Sequence, residues 1–155
     1  MFVPEEIPTS IPVSFANFLA LSIASCVLIG IILSAFSELK RKSLPSISLT
    51  SNTSLITACA NDFDFSYIFL RQLESLLNKG DVVIGISTSG KSKNVLRALD
   101  FAKKKNNFTC LLTGSNKITK NYNSLISVPS KETARIQECH ILIGHALIED
   151  VEKKL

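Results

Sequence analysis

The chain has 155 residues and a mass of 17.0 kDa, enough for one ordinary domain and too little for two. Apolar residues make up 46% of it, so a sizeable core can form and wholesale disorder is excluded. The net charge of +4 is too small to indicate nucleic-acid binding, and no nucleic-acid partner is expected. The four cysteines form no Cys-x-x-Cys pair, so they are predicted to be reduced thiols of a cytosolic protein.

An uncharged, strongly apolar run occupies the first part of the chain. Phe15–Phe36 contains no charge and no proline, and it is long enough to cross the hydrocarbon core of a bilayer as a helix. The basic residues Lys40–Lys42 follow it, so such an anchor would keep the C-terminal part in the cytoplasm. Two other interpretations stay open: a buried strand and helix of a soluble domain, or a degraded, frameshifted or remodelled N-terminus. The predicted division is a divergent segment at residues 1–37 and a domain at residues 38–155.

From residue 44 onward, short apolar segments alternate with segments of helical periodicity. The predicted strands are Leu44–Leu49, Asp81–Ser87, Phe108–Thr113 and Leu125–Val128. The predicted helices are Leu55–Ala60, Tyr67–Leu77, Val95–Lys105 and Glu132–Lys154, with Gly80 as the C-terminal cap of the second. Strands that alternate with helices in this way predict an α/β fold, in which a parallel sheet is covered on both faces.

A serine-rich loop, residues 87–92 (STSGKS), lies between the most apolar predicted strand and a helix. In an open α/β sheet, a turn of this kind lies at the carboxyl edge, where ligands bind. Backbone N–H groups at the start of the helix favour an anion, and the hydroxyls of Ser87, Ser89 and Ser92 can donate further hydrogen bonds. The simpler interpretation is a turn in which Ser92 is the N-cap of the helix. A cap needs one hydroxyl, whereas this loop has four, so phosphate binding is favoured.

The same stretch also matches the P-loop pattern of nucleotide-binding proteins. Gly85 to Ser92 reads GxxxxGK[ST], with a strand before it and a helix after it. A P-loop enzyme usually needs an acidic residue at the end of another buried strand to organise Mg²⁺. The next two predicted strands are followed by Gly114-Ser115 and Pro129-Ser130, neither of which supplies an acidic residue, so the nucleotide interpretation is the weaker one.

Over residues 38–155 the chain resembles the sugar isomerase (SIS) domain and, within it, the phosphoheptose isomerase family. The resemblance rests on four stretches in collinear order, SLPSISLTSNTSLITACANDFDFSYIFLRQLESL, DVVIGISTSGKSKNVLRAL, LLTGS and ARIQECHILIGHALIEDVEKK. It implies a three-layer α/β/α sandwich of the Rossmann or flavodoxin-like kind and a cytoplasmic homotetramer with active sites between subunits. The implied reaction converts sedoheptulose 7-phosphate into D-glycero-D-manno-heptose 7-phosphate for bacterial envelope polysaccharide.

The resemblance also implies roles for individual residues. Phosphate would be held by the loop residues Ser87, Thr88, Ser89 and Ser92. Asn61 and Asp62 would line the sugar site. Gln137 and His145 would correspond to the family's zinc-site glutamine and histidine, Gln137 also contacting substrate and His145 acting as the acid–base group.

The chemistry agrees with a catalytic histidine, although the spacing limits a metal site. Aldose–ketose isomerisation moves a proton between C1 and C2 through an enediol, which requires a base with a near-neutral pKa. Gln137 and His145 are about 80° apart around a helix and about 12 Å apart along it. One straight helix would strain to bring both side chains to one ion. Without the resemblance, each would be interpreted as a hydrogen-bonded polar residue of a buried helix.

The N-terminal half of the family's active site is not recognisable in this chain. The family has a Gly-Asn-Gly-Gly-Ser loop that binds substrate, followed by a helix with a metal-binding histidine and a catalytic glutamate. Counting back from Leu44 without gaps places that loop at Phe18–Ser22, and the histidine and glutamate at Leu28 and Ile32. Two hypotheses follow: a phosphosugar isomerase with impaired catalysis, or a non-catalytic sugar-phosphate-binding regulatory module. The apolar run is expected to send the chain to membranes or aggregates. Deletion of residues 1–37 is expected to improve solubility, at the cost of an unpaired sheet edge.

Overall fold

A computed structural model of the chain describes residues 26–29 and 45–154. Its centre is a five-stranded sheet in which every described pairing is parallel, with the order β2-β1-β3-β4-β5. The strands are β1 (Cys26–Ile29), β2 (Ser46–Ser48), β3 (Val82–Ser87), β4 (Phe108–Thr113) and β5 (Ser124–Ser127). The helices are α1 (Thr53–Asp62), α2 (Leu70–Leu76), α3 (Lys93–Lys104) and α4 (Thr133–Glu152), with a 3₁₀ turn at Phe65–Tyr67.

Alternation along β3 and β4 divides the apolar side chains between the two faces of the sheet. Val83 and Leu111 pack with α1, α2 and α3 on one face. Val82, Ile84 and Leu112 pack with α4 on the other face through Leu147. The expected three-layer α/β/α sandwich is therefore confirmed.

Helix α3 illustrates how the pattern of residues positions an element. Its buried residues Val95, Ala98, Leu99 and Ala102 recur at helical spacing, which gives one apolar stripe facing the sheet. Lys103 and Lys104 lie in its last turn, where positive charge complements the helix dipole. Packing of this stripe against the sheet positions the start of α3 directly after the serine-rich loop that follows β3.

Two predicted details of the segment before β3 are wrong. The helix expected at Tyr67–Leu77 is a 3₁₀ turn followed by α2, because Asp64 accepts a hydrogen bond from the backbone N–H of Ser66 and starts a separate short turn. Gly80 is not the cap of α2, which ends at Leu76 with Leu77 in an extended conformation. Gly80 has a φ of +94° in the turn that leads into β3, a conformation that favours glycine.

Strand β1 agrees with one of the interpretations left open for the N-terminal apolar run, namely that it contributes a strand to the domain. Strand β1 lies inside the apolar run and pairs with both β2 and β3, with Val27 beside Ile47 and Val83. The run is therefore not one continuous helix, and the sheet extends N-terminal of the boundary expected at residue 38. The alignment obtained by counting back from Leu44 without gaps is also wrong. It placed the position of the family's helical histidine at Leu28, whereas Leu28 is a strand residue that lies beside Ser48 and Ile84.

The rest of Phe15–Phe36 lies outside the described residues. Among the helices that are described, none combines the length and the apolar character that a bilayer span requires.

Candidate functional site

The serine-rich loop lies at the point where the strand order of the sheet reverses. The chain passes from β1 outward to β2 on one side and continues from β3 to β4 and β5 on the other. Ligands of open α/β sheets bind in the crevice at such a switch point, outside the carboxyl ends of the strands. Ser87 ends β3 beside Thr113, the last residue of β4. The position predicted for the loop is therefore confirmed.

Gly90 shapes the loop for two physical reasons. Its N–H donates to the Ser87 carbonyl oxygen over 2.9 Å, and its φ of +64° is left-handed. A Cβ atom there would lie 2.3 Å from Ile118 Cδ1 and 2.7 Å from Thr113 Oγ1. Both the backbone conformation and the space thus require glycine. The Thr113 hydroxyl beneath it is buried and has no hydrogen-bond partner within the described residues.

The hydroxyls of the loop do not behave as a simple helix cap. Ser92 is the N-cap residue of α3, but its side chain makes no capping hydrogen bond. Its Oγ lies 2.8 Å from Ser87 Oγ, and its N–H donates to Ser87 Oγ over 3.4 Å. Ser89 Oγ accepts from the N–H of Lys91 over 3.1 Å. Ser92 therefore provides no side-chain acceptor for the first turn of α3, although Asn94 Oδ1 accepts the N–H of Val95 over 2.9 Å. The positive end of the helix dipole is left for an anion.

The segment after β4 contacts the loop through residues to which the sequence did not point. The Gly114 N–H donates to the Thr88 carbonyl oxygen over 3.0 Å, and Asn116 Nδ2 donates to the Ser89 carbonyl oxygen over 3.1 Å. Gly114 was visible as part of LLTGS, a glycine directly after a buried strand. Nothing in the sequence marked Asn116, because its partner is distant along the chain.

Asn61 and Asp62, expected at the sugar site, end helix α1 and are exposed. Asn61 Nδ2 donates to Asp62 Oδ1 over 3.0 Å. Close by, hydrogen bonds from Ser66 are the main cause of a lowered pKa at Asp64, to which the charges of Arg97 and Lys93 also contribute. Because Lys93 is the first residue of α3, this segment reaches the side of the fold where the serine-rich loop ends.

Gln137 and His145, expected to bind zinc, lie on α4 and are exposed. Neither fits the interpretation as a buried, hydrogen-bonded polar residue. That interpretation suits His140, which is 2% exposed and donates from Nε2 to the Thr113 carbonyl oxygen over 3.3 Å. Burial lowers the pKa of His140, while its hydrogen bond to Thr113 opposes that shift.

The described residues do not complete the zinc site. Gln137 and His145 are two groups on one continuous helix, whereas zinc sites use about three or four protein ligands. Within residues 26–29 and 45–154, no three His, Cys, Asp or Glu side chains are grouped so that they could hold a metal ion. A zinc ion would therefore need ligands from elsewhere.

The position of β1 revises where the family's substrate loop would begin. Because β1 ends at Ile29, a loop that follows this strand would start at Gly30, and not at Phe18. The sequence from there reads Gly-Ile-Ile-Leu-Ser, which keeps the first glycine and the final serine of Gly-Asn-Gly-Gly-Ser and lacks the residues between them. These residues lie outside the described part of the chain.

Comparison with known proteins gives a consistent family. The family model for the SIS domain matches residues 29–114. Curated relatives include the phosphoheptose isomerases of Nitratiruptor sp. and Aquifex aeolicus, each 49% identical over 116 residues, which is 74% of this chain. The chain spans 62% and 61% of the length of these two relatives.

Solved structures agree with the sequence comparison. The phosphoheptose isomerase of Neisseria gonorrhoeae has a TM-score of 0.78 at 30% identity, over 90% of this chain and 84% of that chain. The enzyme of Francisella tularensis has a TM-score of 0.76 at 30% identity, over 94% of this chain and 88% of that chain.

Proposed function

The chain belongs to the SIS domain family, and we propose that it binds a sugar phosphate at the serine-rich loop and interconverts sedoheptulose 7-phosphate and D-glycero-D-manno-heptose 7-phosphate. The observation that carries the proposal is the arrangement of residues 87–92. The start of α3, to which Ser92 gives no side-chain cap, lies at the switch point of the sheet together with the hydroxyls of the serine-rich loop. The names of the similar proteins indicate a heptose phosphate, and the resemblance to the phosphoheptose isomerase family supplies sedoheptulose 7-phosphate as the substrate.

The proposed chemistry needs a group that moves a proton between C1 and C2 of the bound sugar. His145 is the candidate, because its imidazole is exposed on α4 and free to reach a ligand or a neighbouring subunit. Asn61 and Asp62 would contact the sugar hydroxyls. The described residues do not supply a complete set of ligands for the zinc ion that the resemblance implies. No step of the proposal therefore depends on zinc.

Assembly into a homotetramer is part of the proposal. Gln137, Ile141 and His145 are spaced by four residues along α4 and are all exposed, with Ile141 and Leu142 each 52% exposed. Apolar side chains of this size favour coverage by another subunit. Light scattering after size exclusion measures the assembly, and a monomeric chain would contradict a site shared between subunits.

A non-catalytic sugar-phosphate-binding module is the second candidate. It is supported by the absence of a metal-binding group of side chains among the described residues, and by a sequence that lacks most of the family's Gly-Asn-Gly-Gly-Ser loop. Losing a positioned acid or base costs about 10²- to 10⁴-fold in rate. The module predicts tight binding of the sugar phosphate without turnover.

Two measurements separate these candidates. A coupled assay with sedoheptulose 7-phosphate measures turnover, and calorimetry measures binding of the same compound and of ATP. Turnover that disappears in His145→Gln supports the isomerase, whereas binding without turnover supports the module. Tighter binding of ATP than of the sugar phosphate would contradict both and favour the P-loop interpretation.

A further inference from the structure

Residues 114–118, which we name the strap, hold one side of the serine-rich loop. The Gly114 N–H donates to the Thr88 carbonyl oxygen over 3.0 Å, and Asn116 Nδ2 donates to the Ser89 carbonyl oxygen over 3.1 Å. Ile118, the last residue of the strap, lies close to Gly90. A Cβ atom added at Gly90 would be 2.3 Å from Cδ1 of Ile118. Two successive carbonyl groups of the loop are therefore turned toward the strap.

The planar peptide unit determines what these two bonds do to the rest of the loop. The peptide bonds are trans, so the C=O and the N–H of each unit point in opposite directions. With the Thr88 carbonyl bound to Gly114, the N–H of Ser89 points away from the strap, and no acceptor for it exists within the described residues. With the Ser89 carbonyl bound to Asn116, the N–H of Gly90 points back to the Ser87 carbonyl oxygen, which it reaches over 2.9 Å.

The Ser89–Gly90 peptide is the unit that most needs such a restraint. Gly90 has a φ of +64°, and glycine has access to both signs of φ, so rotation of this peptide is restricted less than elsewhere in the loop. If the peptide turned over, the Gly90 N–H would lose the Ser87 carbonyl oxygen, and the Ser89 carbonyl oxygen would lie against that oxygen in its place. The turn from Ser87 to Gly90 would then open, and the N–H of Ser89 would lose its fixed orientation.

We propose that Asn116 is a positioning residue for the anion site of the serine-rich loop, because its side-chain amide holds the Ser89 carbonyl oxygen and thereby fixes the turn that leaves the N–H of Ser89 for the bound phosphate. Asn116 does not touch the ligand in this scheme. The inference rests on the proposed function in one respect, namely that the loop binds the phosphate of a sugar phosphate.

The test compares three variants of the full chain. Asn116→Ala removes the donor, and Asn116→Asp replaces it with a group that cannot donate when ionised. Asn121→Ala is the matched control, since Asn121 is an exposed asparagine just beyond the strap. Calorimetry with inorganic phosphate and with sedoheptulose 7-phosphate gives the dissociation constants, and thermal unfolding shows that the variants remain folded.

We expect Asn116→Ala to weaken binding of both ligands about three- to tenfold, the effect of one lost hydrogen bond. Asn116→Asp is expected to weaken it further, and Asn121→Ala to match the unchanged chain. In ¹⁵N–¹H spectra, added phosphate should shift the Ser89 amide of the unchanged chain more than that of Asn116→Ala.

Each of the other outcomes overturns the inference in a distinguishable way. Equal affinities for the unchanged chain and Asn116→Ala would overturn it and leave the phosphate site standing. An equal loss in Asn116→Ala and Asn121→Ala would attribute the effect to general loosening of the loop. If the unchanged chain bound neither ligand, the proposed function would fail together with this inference.

Discussion

Ser87 and Ser89 have different roles, although both belong to the same six-residue loop. Ser87 is 4% exposed and bonded to both the hydroxyl and the N–H of Ser92, so it supports the loop from below. Ser89 is exposed, and its hydroxyl is bonded to the backbone within the loop. A ligand at the start of α3 would therefore contact Ser89 and Ser92, while Ser87 holds Ser92 in place.

Removal of the two contacting hydroxyls should weaken anion binding without unfolding the domain. We expect Ser89→Ala combined with Ser92→Ala to weaken binding of sedoheptulose 7-phosphate about tenfold or more, because hydrogen bonds to a charged group are stronger than neutral ones. Ser54→Ala, at an exposed position of α1, is the control. Calorimetry measures both, and an unchanged affinity of the double variant would contradict a phosphate site at this loop.

The buried imidazole of His140 should make the domain less stable in mild acid. Burial lowers its pKa below the usual value of about 6.5, so the folded chain resists a proton that the unfolded chain accepts. The penalty is absent above that usual value and grows as the pH falls below it. We expect the free energy of unfolding to decrease from pH 7 to pH 5.

Urea unfolding at several pH values measures this effect. His140→Gln keeps a donor for the Thr113 carbonyl oxygen and removes the titration, so its stability should change less with pH. His145→Gln is the control, since that histidine is exposed. An identical pH dependence in all three chains would show that His140 does not contribute to it.

At the scale of elements, agreement with the sequence follows the strength of the apolar pattern. Strand β4 has the predicted bounds, and β3 and α3 differ from prediction by a residue or two, because long apolar runs and a clear helical stripe mark them. For the segment with strand β1, a strand was only one of three open interpretations, because an unbroken apolar run has no periodicity that separates a strand from a helix. The helix predicted at Tyr67–Leu77 is divided into a 3₁₀ turn and α2. This division depends on a hydrogen bond that the side chain of Asp64 accepts, and the periodicity of the sequence does not reveal it.

The candidate site divides in the same way. The serine-rich loop was predictable because its chemistry lies within six consecutive residues. The support from Asn116 and Thr113 was not, since it arises where β4 is laid beside β3. Of the two histidines, periodicity could not tell which is buried. The exposed position of His145 agrees with the role implied by the resemblance.

Gly114 is the position at which α4, β4 and the serine-rich loop come together. A Cβ atom there would lie 2.8 Å from the Thr88 carbonyl oxygen, 3.0 Å from that of Ser130 and 2.5 Å from Ile136 Cδ1. Two of these contacts are to backbone carbonyl oxygens, which cannot move aside by a change of rotamer as a side chain can. We expect Gly114→Ala to lower the free energy of unfolding by about 1–3 kcal/mol.

Urea denaturation of Gly114→Ala provides the measurement, with Gly80→Ala as a comparison. An added Cβ at Gly80 meets nothing within 4 Å, so its cost comes from the φ of +94° alone. The loss at Gly114 should be accompanied by weaker phosphate binding, whereas the loss at Gly80 should not. Full stability of Gly114→Ala would mean that α4 can shift away from β4.

At the scale of the whole molecule, the sheet depends on a strand from the apolar run. Strand β1 separates β2 from β3, and the structure records no direct pairing between those two. The sequence had suggested that removing residues 1–37 would improve solubility. The topology makes the unpaired edge, which the sequence also indicated, the stronger effect, because the deletion would remove the partner of both β2 and β3.

We therefore expect a chain that lacks residues 1–37 to unfold at lower temperature and to aggregate more than the full chain. A chain that lacks residues 1–14 keeps the whole apolar run and β1, and it is the matched control. Circular dichroism and sedimentation without detergent measure the two effects. If the larger deletion gave the more soluble and equally stable protein, the pairing of β1 with β3 would not hold the sheet together.

The central place of β1 also affects how the chain folds during synthesis. Val27 leaves the ribosome well before its partner Val83, which follows only after β2 and the described helical segments between Thr53 and Leu76 have been made. Such a non-local pairing forms late, because a long loop must close before the contact is gained. During that interval β1 has only β2 beside it and lacks its pairing with β3, and this is the stage at which a chaperone would contribute most to the yield of folded protein.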